Sequence, residues 1–108
     1  MEEKDVVRLL LSFGLRYGGN SYLTLYTCLL LIKRDHSLLC NMMNLYALVG
    51  SELGISQQAA SKRVSRIVKA IWEGPKREEL LKLFQYQPGD CPYNREFLSA
   101  IIAYLSNN

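Results

Sequence analysis

The sequence contains few of the residues on which catalytic and metal sites depend. Its only histidine is His36, and its three cysteines, Cys28, Cys40 and Cys91, form no Cys-x-x-Cys pair. Free thiols in a reducing cytosol are therefore expected, and neither a zinc site nor a disulfide framework is indicated. A single histidine also excludes a histidine-pair metal site. We predict no enzymatic activity, no metal and no cofactor.

Long apolar runs and a secretory signal are missing as well. The longest apolar run, Ala100 to Leu105, is much shorter than the roughly 20 residues that cross a bilayer. The N-terminal sequence MEEKDVVRLLL has acidic residues where a secretory signal has basic ones. The sequence therefore predicts a soluble, cytoplasmic protein with no membrane partner.

Length and hydrophobic content indicate how large a core the chain can form. Its 108 residues are 49% hydrophobic, which suits one compact domain with a single core. No stretch shows the period-two alternation of a half-buried strand, and turn signals divide the chain into helical segments. We predict an all-α fold, in which residues 1–108 form a single domain of about six helices.

Apolar residues with helical spacing predict where these helices lie. Gly54 suits the left-handed conformation at a helix end, and Ser56 is predicted to cap the helix that follows, so the order helix, tight turn, helix is expected here. The other predicted segments are Asp5–Phe13, Tyr22–Arg34 capped by Asn20 or Ser21, one helix or two short ones over Leu38–Val49 with Ser37 as cap, Pro75–Phe84, and a final helix capped by Asn94.

The helix after Ser56 has an apolar side and a basic side. Between Ser56 and Arg77 the chain has six basic residues and one acid, Glu73, for a net charge of +5, whereas the rest of the chain carries −2. A local excess of this kind attracts a polyanion. The residues predicted to be buried are Ala60, Val64, Ile67, Val68 and Ile71.

This arrangement is typical of a helix-turn-helix DNA reader. The second helix of such a motif enters the major groove, where its first residues contact bases and later basic residues contact phosphates. Gln57, Gln58, Ser61 and Lys62 are predicted to contact bases, and Arg63, Arg66 and Lys69 to contact phosphates or guanines. The full candidate DNA-binding set is Ser56, Gln57, Gln58, Ser61, Lys62, Arg63, Ser65, Arg66 and Lys69. A solvated or protein-binding face can have the same features, so both interpretations stay open.

Short motifs along nearly the whole chain are similar to those of a known family. They are Gly14-Leu15, Ser21-Tyr22-Leu23, Leu25, Asp35, Leu38-Leu39, Leu45-Tyr46, Ile71-Trp72, Leu83-Phe84, Pro92, Asn94 and Glu96-Phe97. In this order and spacing, they resemble the C-terminal DNA-binding effector domain of the sporulation initiation response regulators of Firmicutes.

The resemblance implies a fold of about six helices and control of transcription by binding double-stranded DNA at short operator boxes. It also implies a homodimer or head-to-tail pairing on tandem boxes through the C-terminal helices. Residues 73–77 would then contact the sigma subunit of RNA polymerase.

The chain departs from the family's pattern in two respects. Ala59 and Ser61 stand where the family has arginine and glutamate, so we expect a changed operator or weakened binding. The family's full proteins also place a phosphorylatable receiver domain before this module, and we expect this protein to lack one. It is expected to act either as a DNA-binding regulator without its own phosphorylation switch, or as a protein-interaction module that pairs with or antagonises a full-length regulator.

Overall fold

The structure, a computed structural model, describes residues 2–107, and this part of the chain contains helices and no strand. Its α-helices are α1 (Glu3–Ser12), α2 (Asn20–Arg34), α3 (Met42–Leu53), α4 (Gln57–Glu73), α5 (Arg77–Leu81) and α6 (Asn94–Ser106). A 3-10 helix, His36–Cys40, lies between α2 and α3. The predicted all-α class is confirmed, and the Cα radius of gyration of 12.7 Å is that of one compact domain.

The core is built around α2. This helix contacts α1, α3, α4, α6 and the 3-10 helix, and its residues Leu25, Cys28, Leu29 and Ile32 are fully buried. A helix that is apolar nearly all round is stable only where other elements surround it, which accounts for this central position. Phe97 of α6 is the bulkiest of the fully buried side chains. All the long helices therefore share a single core.

The connection between α3 and α4 consists of Gly54, Ile55 and Ser56. Gly54 has a φ of +70°, and the Ile55 N–H donates to the carbonyl oxygen of Gly50 at 2.9 Å, which is the pattern of a Schellman helix end. The hydroxyl of Ser56 accepts the N–H of Ala59 at 3.0 Å. The roles predicted for Gly54 and Ser56 are thus confirmed, and α4 starts directly after the turn.

Gly50 lies where α3 comes closest to this turn. A Cβ atom added at Gly50 would be 2.4 Å from the carbonyl oxygen of Ile55 and 3.3 Å from the carbonyl carbon and oxygen of Ser56. These are backbone atoms, so they cannot rotate away as the end of a flexible side chain would. The close contact between α3 and the turn therefore requires glycine at this position.

The predicted cap of α2 is wrong. The helix follows Gly19, which is extended and provides no side-chain cap, so neither Asn20 nor Ser21 caps it. Both residues already lie in the first helical turn, whereas a capping side chain has to come from the extended residue before the helix. The first amides of α2 are consequently left without a side-chain acceptor from the cap position.

The segment predicted as one helix or two short ones over Leu38–Val49 is divided at Asn41. Asp35 caps the 3-10 helix by accepting the N–H of Ser37 at 3.1 Å. Asn41 then caps α3 by accepting the N–H of Asn44 at 3.2 Å. The two-helix alternative is closer to the structure, but Ser37 is not a cap, because the carboxylate of Asp35 occupies that role.

The last two predicted helices also need correction. α5 is shorter than the predicted segment Pro75–Phe84, because the amides of Leu83 and Phe84 bond to carbonyls three residues back and form tight turns instead. Asn94 is the first residue of α6 and not its cap. Tyr93 precedes the helix, and its N–H donates to the carboxylate of Glu96 at 3.0 Å.

Candidate nucleic-acid interface

One side of α4 packs against the rest of the protein. Helix α4 contacts α2, α3, α5 and α6, and this leaves its other side on the surface. The residues predicted to be buried are all at most 4% exposed: Ala60, Val64, Ile67, Val68 and Ile71. The predicted division of α4 into an apolar and a polar side is confirmed.

Among the exposed side chains of α4 are Gln58, Lys62, Arg66 and Lys69, which we call the basic strip. Their spacing of three or four residues aligns them along one side of the helix. No acidic residue occurs in α4 before Glu73, and both ion pairs in the described part of the chain lie elsewhere. Within residues 2–107, the positive charges of the strip therefore face solvent without a carboxylate partner.

Two of the predicted contact residues have roles inside the protein. Ser56 uses its hydroxyl as the cap of α4. Gln57 is half-buried, and its Nε2 donates to the carbonyl oxygen of Met43 at 2.7 Å, which joins the start of α4 to α3. The neighbouring Gln58 is exposed, and its amide forms no hydrogen bond within residues 2–107. Gln58 is thus the glutamine whose amide is available to a ligand.

A polar cluster joins α4 to the start of α6. The Nδ2 of Asn94 lies 2.9 Å from the hydroxyl of Tyr46, 3.0 Å from the hydroxyl of Ser65 and 3.3 Å from the carbonyl oxygen of Ser61. Ser65 also donates its hydroxyl to the carbonyl oxygen of Ser61 at 3.2 Å. The structure therefore brings Ser61 and Ser65 against α6, on a flank of α4 rather than at the centre of its outer side.

Sequence reasoning missed the part that Asn94 plays here. Its partners Ser65 and Tyr46 lie 29 and 48 residues earlier in the chain, and no local pattern connects the three positions. The only local signal was a polar residue before an apolar helix, which pointed to a cap. The contact could be found only after the packing of α6 against α4 was known.

Two grooves flank α4. One, of about 410 Å³, lies between α4 and the segment joining α1 to α2, and includes Arg66 and Lys76. The other, of about 650 Å³, lies between α4 and the start of α6, and includes Lys69 and Arg95; we call it the α4–α6 groove. Arg63 is half-buried on the side of α4. Helix α4 therefore has basic residues on its outer side and in both neighbouring grooves.

The α4–α6 groove also contains a thiol, Cys91. Burial raises the pKa of Cys91 above its ordinary value of 9.0, the Glu73 carboxylate raises it further, and the Lys69 ammonium opposes the shift. The thiol is therefore neutral at physiological pH.

Trp72 also lines the groove. The guanidinium of Arg77 lies 3.8 Å from the centroid of the Trp72 ring, in a cation–π contact that holds the two side chains together.

Neither a metal-binding group nor a membrane-spanning helix is found in residues 2–107. No three His, Cys, Asp or Glu side chains are grouped there in a way that could hold a metal ion, and no helix is both long and apolar enough to cross a bilayer.

Comparison with protein-family models, curated proteins and solved structures found no match for this chain. The functional interpretation therefore depends on the shape and charge of α4 and its flanks.

Proposed function

We propose that this protein is a sequence-specific DNA-binding regulator of transcription with α4 as its recognition helix. The basic strip is the observation that carries the proposal. It presents one free amide and three cations along roughly 16 Å of helix, with no acidic residue among them. The order of α3, a three-residue turn and α4 supports the proposal, because a helix-turn-helix DNA reader has two helices joined by a short turn.

In the proposed complex, α4 lies in the major groove of a DNA duplex, which is about 12 Å wide and admits a helix with its side chains. Gln58, near the start of α4, faces a base edge, because a glutamine amide can bond an adenine with both of its groups. Lys62, Arg66 and Lys69 contact phosphates or guanine edges. Ser61 and Ser65 support α4 from its α6 side.

The resemblance to the effector domain of sporulation regulators supports this proposal, since that family binds operator boxes. We also propose that the protein acts in the cytoplasm, and the resemblance supports binding as a homodimer or as a head-to-tail tandem. Residues 73–77 are the proposed contact with the sigma subunit of RNA polymerase. Ala59 and Ser61 depart from the family's pattern, so the proposed operator differs from that of the family.

Selection of bound duplexes from a random pool tests the proposal directly. The purified protein would be used at low and at near-physiological salt, because phosphate contacts alone produce binding that weakens steeply with salt. A motif enriched at both salt concentrations is the expected result. Binding without a motif, or no binding, would contradict the proposed function.

Replacement of Gln58 by alanine is expected to relax sequence preference at one base pair and leave the rest of the motif unchanged. Loss of a bidentate amide contact removes about 1–3 kcal/mol of discrimination against the wrong base, or roughly 5- to 150-fold. Competition between duplexes that differ at single positions measures this change. Gln87→Ala, an exposed glutamine outside the helices, is the matched control and should change no position. If Gln58→Ala leaves the sequence preference of binding unchanged at every position, Gln58 does not contact a base.

A protein-interaction module that pairs with or antagonises a full-length regulator is the second candidate. A groove of about 650 Å³ between α6 and residues 82–86 favours it, since Leu83, Phe84, Tyr86, Ala100 and Ala103 give its lining an apolar character. The small side chains of Ala59 and Ser61 on α4 favour it as well. Duplex selection separates the two candidates, because the interaction module has no motif to enrich.

A further inference from the structure

The α4–α6 groove opens beside the basic strip. Lys69 belongs to both, since it ends the strip and lines the groove, and Arg95 lines the other wall from the first turn of α6. Tyr93 lies next to Arg95 and is 80% exposed. The acid in the lining, Glu73, is at the C-terminal end of α4. The groove therefore has cations on both walls and its acid at one end.

The hydrogen bonds of Asn94 hold the first turn of α6, which includes the backbone of Arg95, close to the middle of α4. Asn94 Nδ2 lies 3.0 Å from the hydroxyl of Ser65 and 3.3 Å from the carbonyl oxygen of Ser61, so the first turn of α6 is held against the centre of α4. Arg95 follows Asn94 directly and is exposed. Arg95 therefore shares the α4–α6 groove with Lys69, the last residue of the basic strip.

The charge of Arg95 has no carboxylate partner in an ion pair within the described residues. It lies in the first turn of α6, where the helix dipole disfavours a cation, and neither ion pair in residues 2–107 includes it. The adjacent acid, Glu96, already accepts the N–H of Tyr93 at 3.0 Å and the hydroxyl of Tyr86 at 3.4 Å. The charge of Arg95 is thus available to an external anion.

A helix seated in the major groove has a phosphate backbone on each side, because a helix 10–12 Å across fills a groove about 12 Å wide. Groups beside such a helix therefore meet phosphates rather than base edges, and arginine and tyrosine hydroxyls are common phosphate donors. We infer that the DNA interface extends from α4 onto the first turn of α6, where Arg95 contacts the phosphate backbone of the duplex. This inference rests on the proposed function.

Salt-dependent binding of the full chain to a fluorescein-labelled duplex tests the role of Arg95. The probes are a duplex carrying the motif enriched by selection and a duplex of unrelated sequence. Arg95→Ala should lower the slope of log affinity against log salt by about 0.9 and weaken binding about five-fold near physiological salt, with both duplexes. The enriched motif should stay the same. The thermal unfolding midpoint should not fall, since the variant removes a cation from a helix N-terminus.

Arg8→Ala is the matched control. Arg8 is exposed and lies with Tyr104 and Leu105 near the other end of α6, roughly 15 Å along that helix from Arg95. Its removal changes the net charge equally and should leave the salt slope unchanged. Arg95→Lys, which keeps a phosphate-binding cation, should retain most of the slope.

The outcomes separate this inference from the proposed function. If Arg66→Ala lowers the slope and Arg95→Ala does not, the contact of Arg95 is disproved and the function of α4 is retained. If Arg95→Ala changes the enriched motif, Arg95 reads bases and the phosphate assignment is wrong. If the parent protein binds neither duplex, both the inference and the proposed function fail.

Discussion

Replacement of Gly50 by alanine is expected to lower the midpoint of thermal unfolding by about 10–20 °C, which corresponds to roughly 2–3 kcal/mol for a domain of this size. The added Cβ would be 2.4 Å from the carbonyl oxygen of Ile55, well inside van der Waals contact. The turn cannot move away freely, because the Ile55 N–H bonds the carbonyl oxygen of Gly50 at 2.9 Å. Alanine gains about 1 kcal/mol of helix propensity over glycine, which offsets only part of this cost.

Gly89→Ala is the control for the Gly50 variant. A Cβ added at Gly89 meets no atom within 4 Å, so its unfolding midpoint should shift by no more than a surface substitution allows, about 0.5 kcal/mol. Circular dichroism during heating measures both variants. Equal midpoints for Gly50→Ala and the parent would show that α3 and the turn are not in the close contact described.

Removal of three charges from the basic strip is expected to abolish most DNA binding. The variant Lys62→Ala/Arg66→Ala/Lys69→Ala should lower the slope of log affinity against log salt by roughly 2.7, since each phosphate contact contributes about 0.9. Near physiological salt the affinity should fall on the order of 100-fold. Because the three side chains are exposed, the fold should be retained. Fluorescence anisotropy with a labelled duplex at several salt concentrations measures both quantities.

A second triple variant, Lys4→Ala/Arg8→Ala/Lys33→Ala, removes the same residue types from exposed positions on α1 and α2. It changes the net charge of the protein equally but leaves the basic strip intact. Its salt slope should stay close to that of the parent. If the two triple variants lose the slope to the same extent, binding depends on total charge, and α4 is not the recognition helix.

The all-α class and the buried side of α4 were predictable because both follow from local patterns. Ala60, Val64 and Ile67 repeat with the period of a helix, and that period fixes which side is apolar wherever the helix packs. The Gly54 turn and the Ser56 cap are also local, since both depend on the intrinsic conformation of residues close in sequence.

Other features depended on packing between distant segments. Gln57 and Ser61 have the sequence character of exposed residues, yet Gln57 bonds α3 through Met43 and Ser61 faces Asn94 of α6. The cap of α2 was missed for a related reason. Asn20 and Ser21 are adjacent polar residues, and either has the sequence character of a cap. The packing of the whole helix determines that the extended residue before α2 is Gly19.

The bonds between Asn94 and α4 also determine when, during synthesis, α4 gains its contacts with α6. A ribosome adds Glu73, the last residue of α4, about 20 residues before Asn94, which is an interval of roughly one to four seconds at 5–20 residues per second. In that interval the growing chain lacks Asn94, so the bonds of its side-chain amide to Tyr46 and to Ser65 of α4 cannot form. The contacts between α4 and α6 therefore form only after the first residues of α6 have been made, and under the proposed function a nascent chain that stops before α6 would bind DNA more weakly than the finished protein.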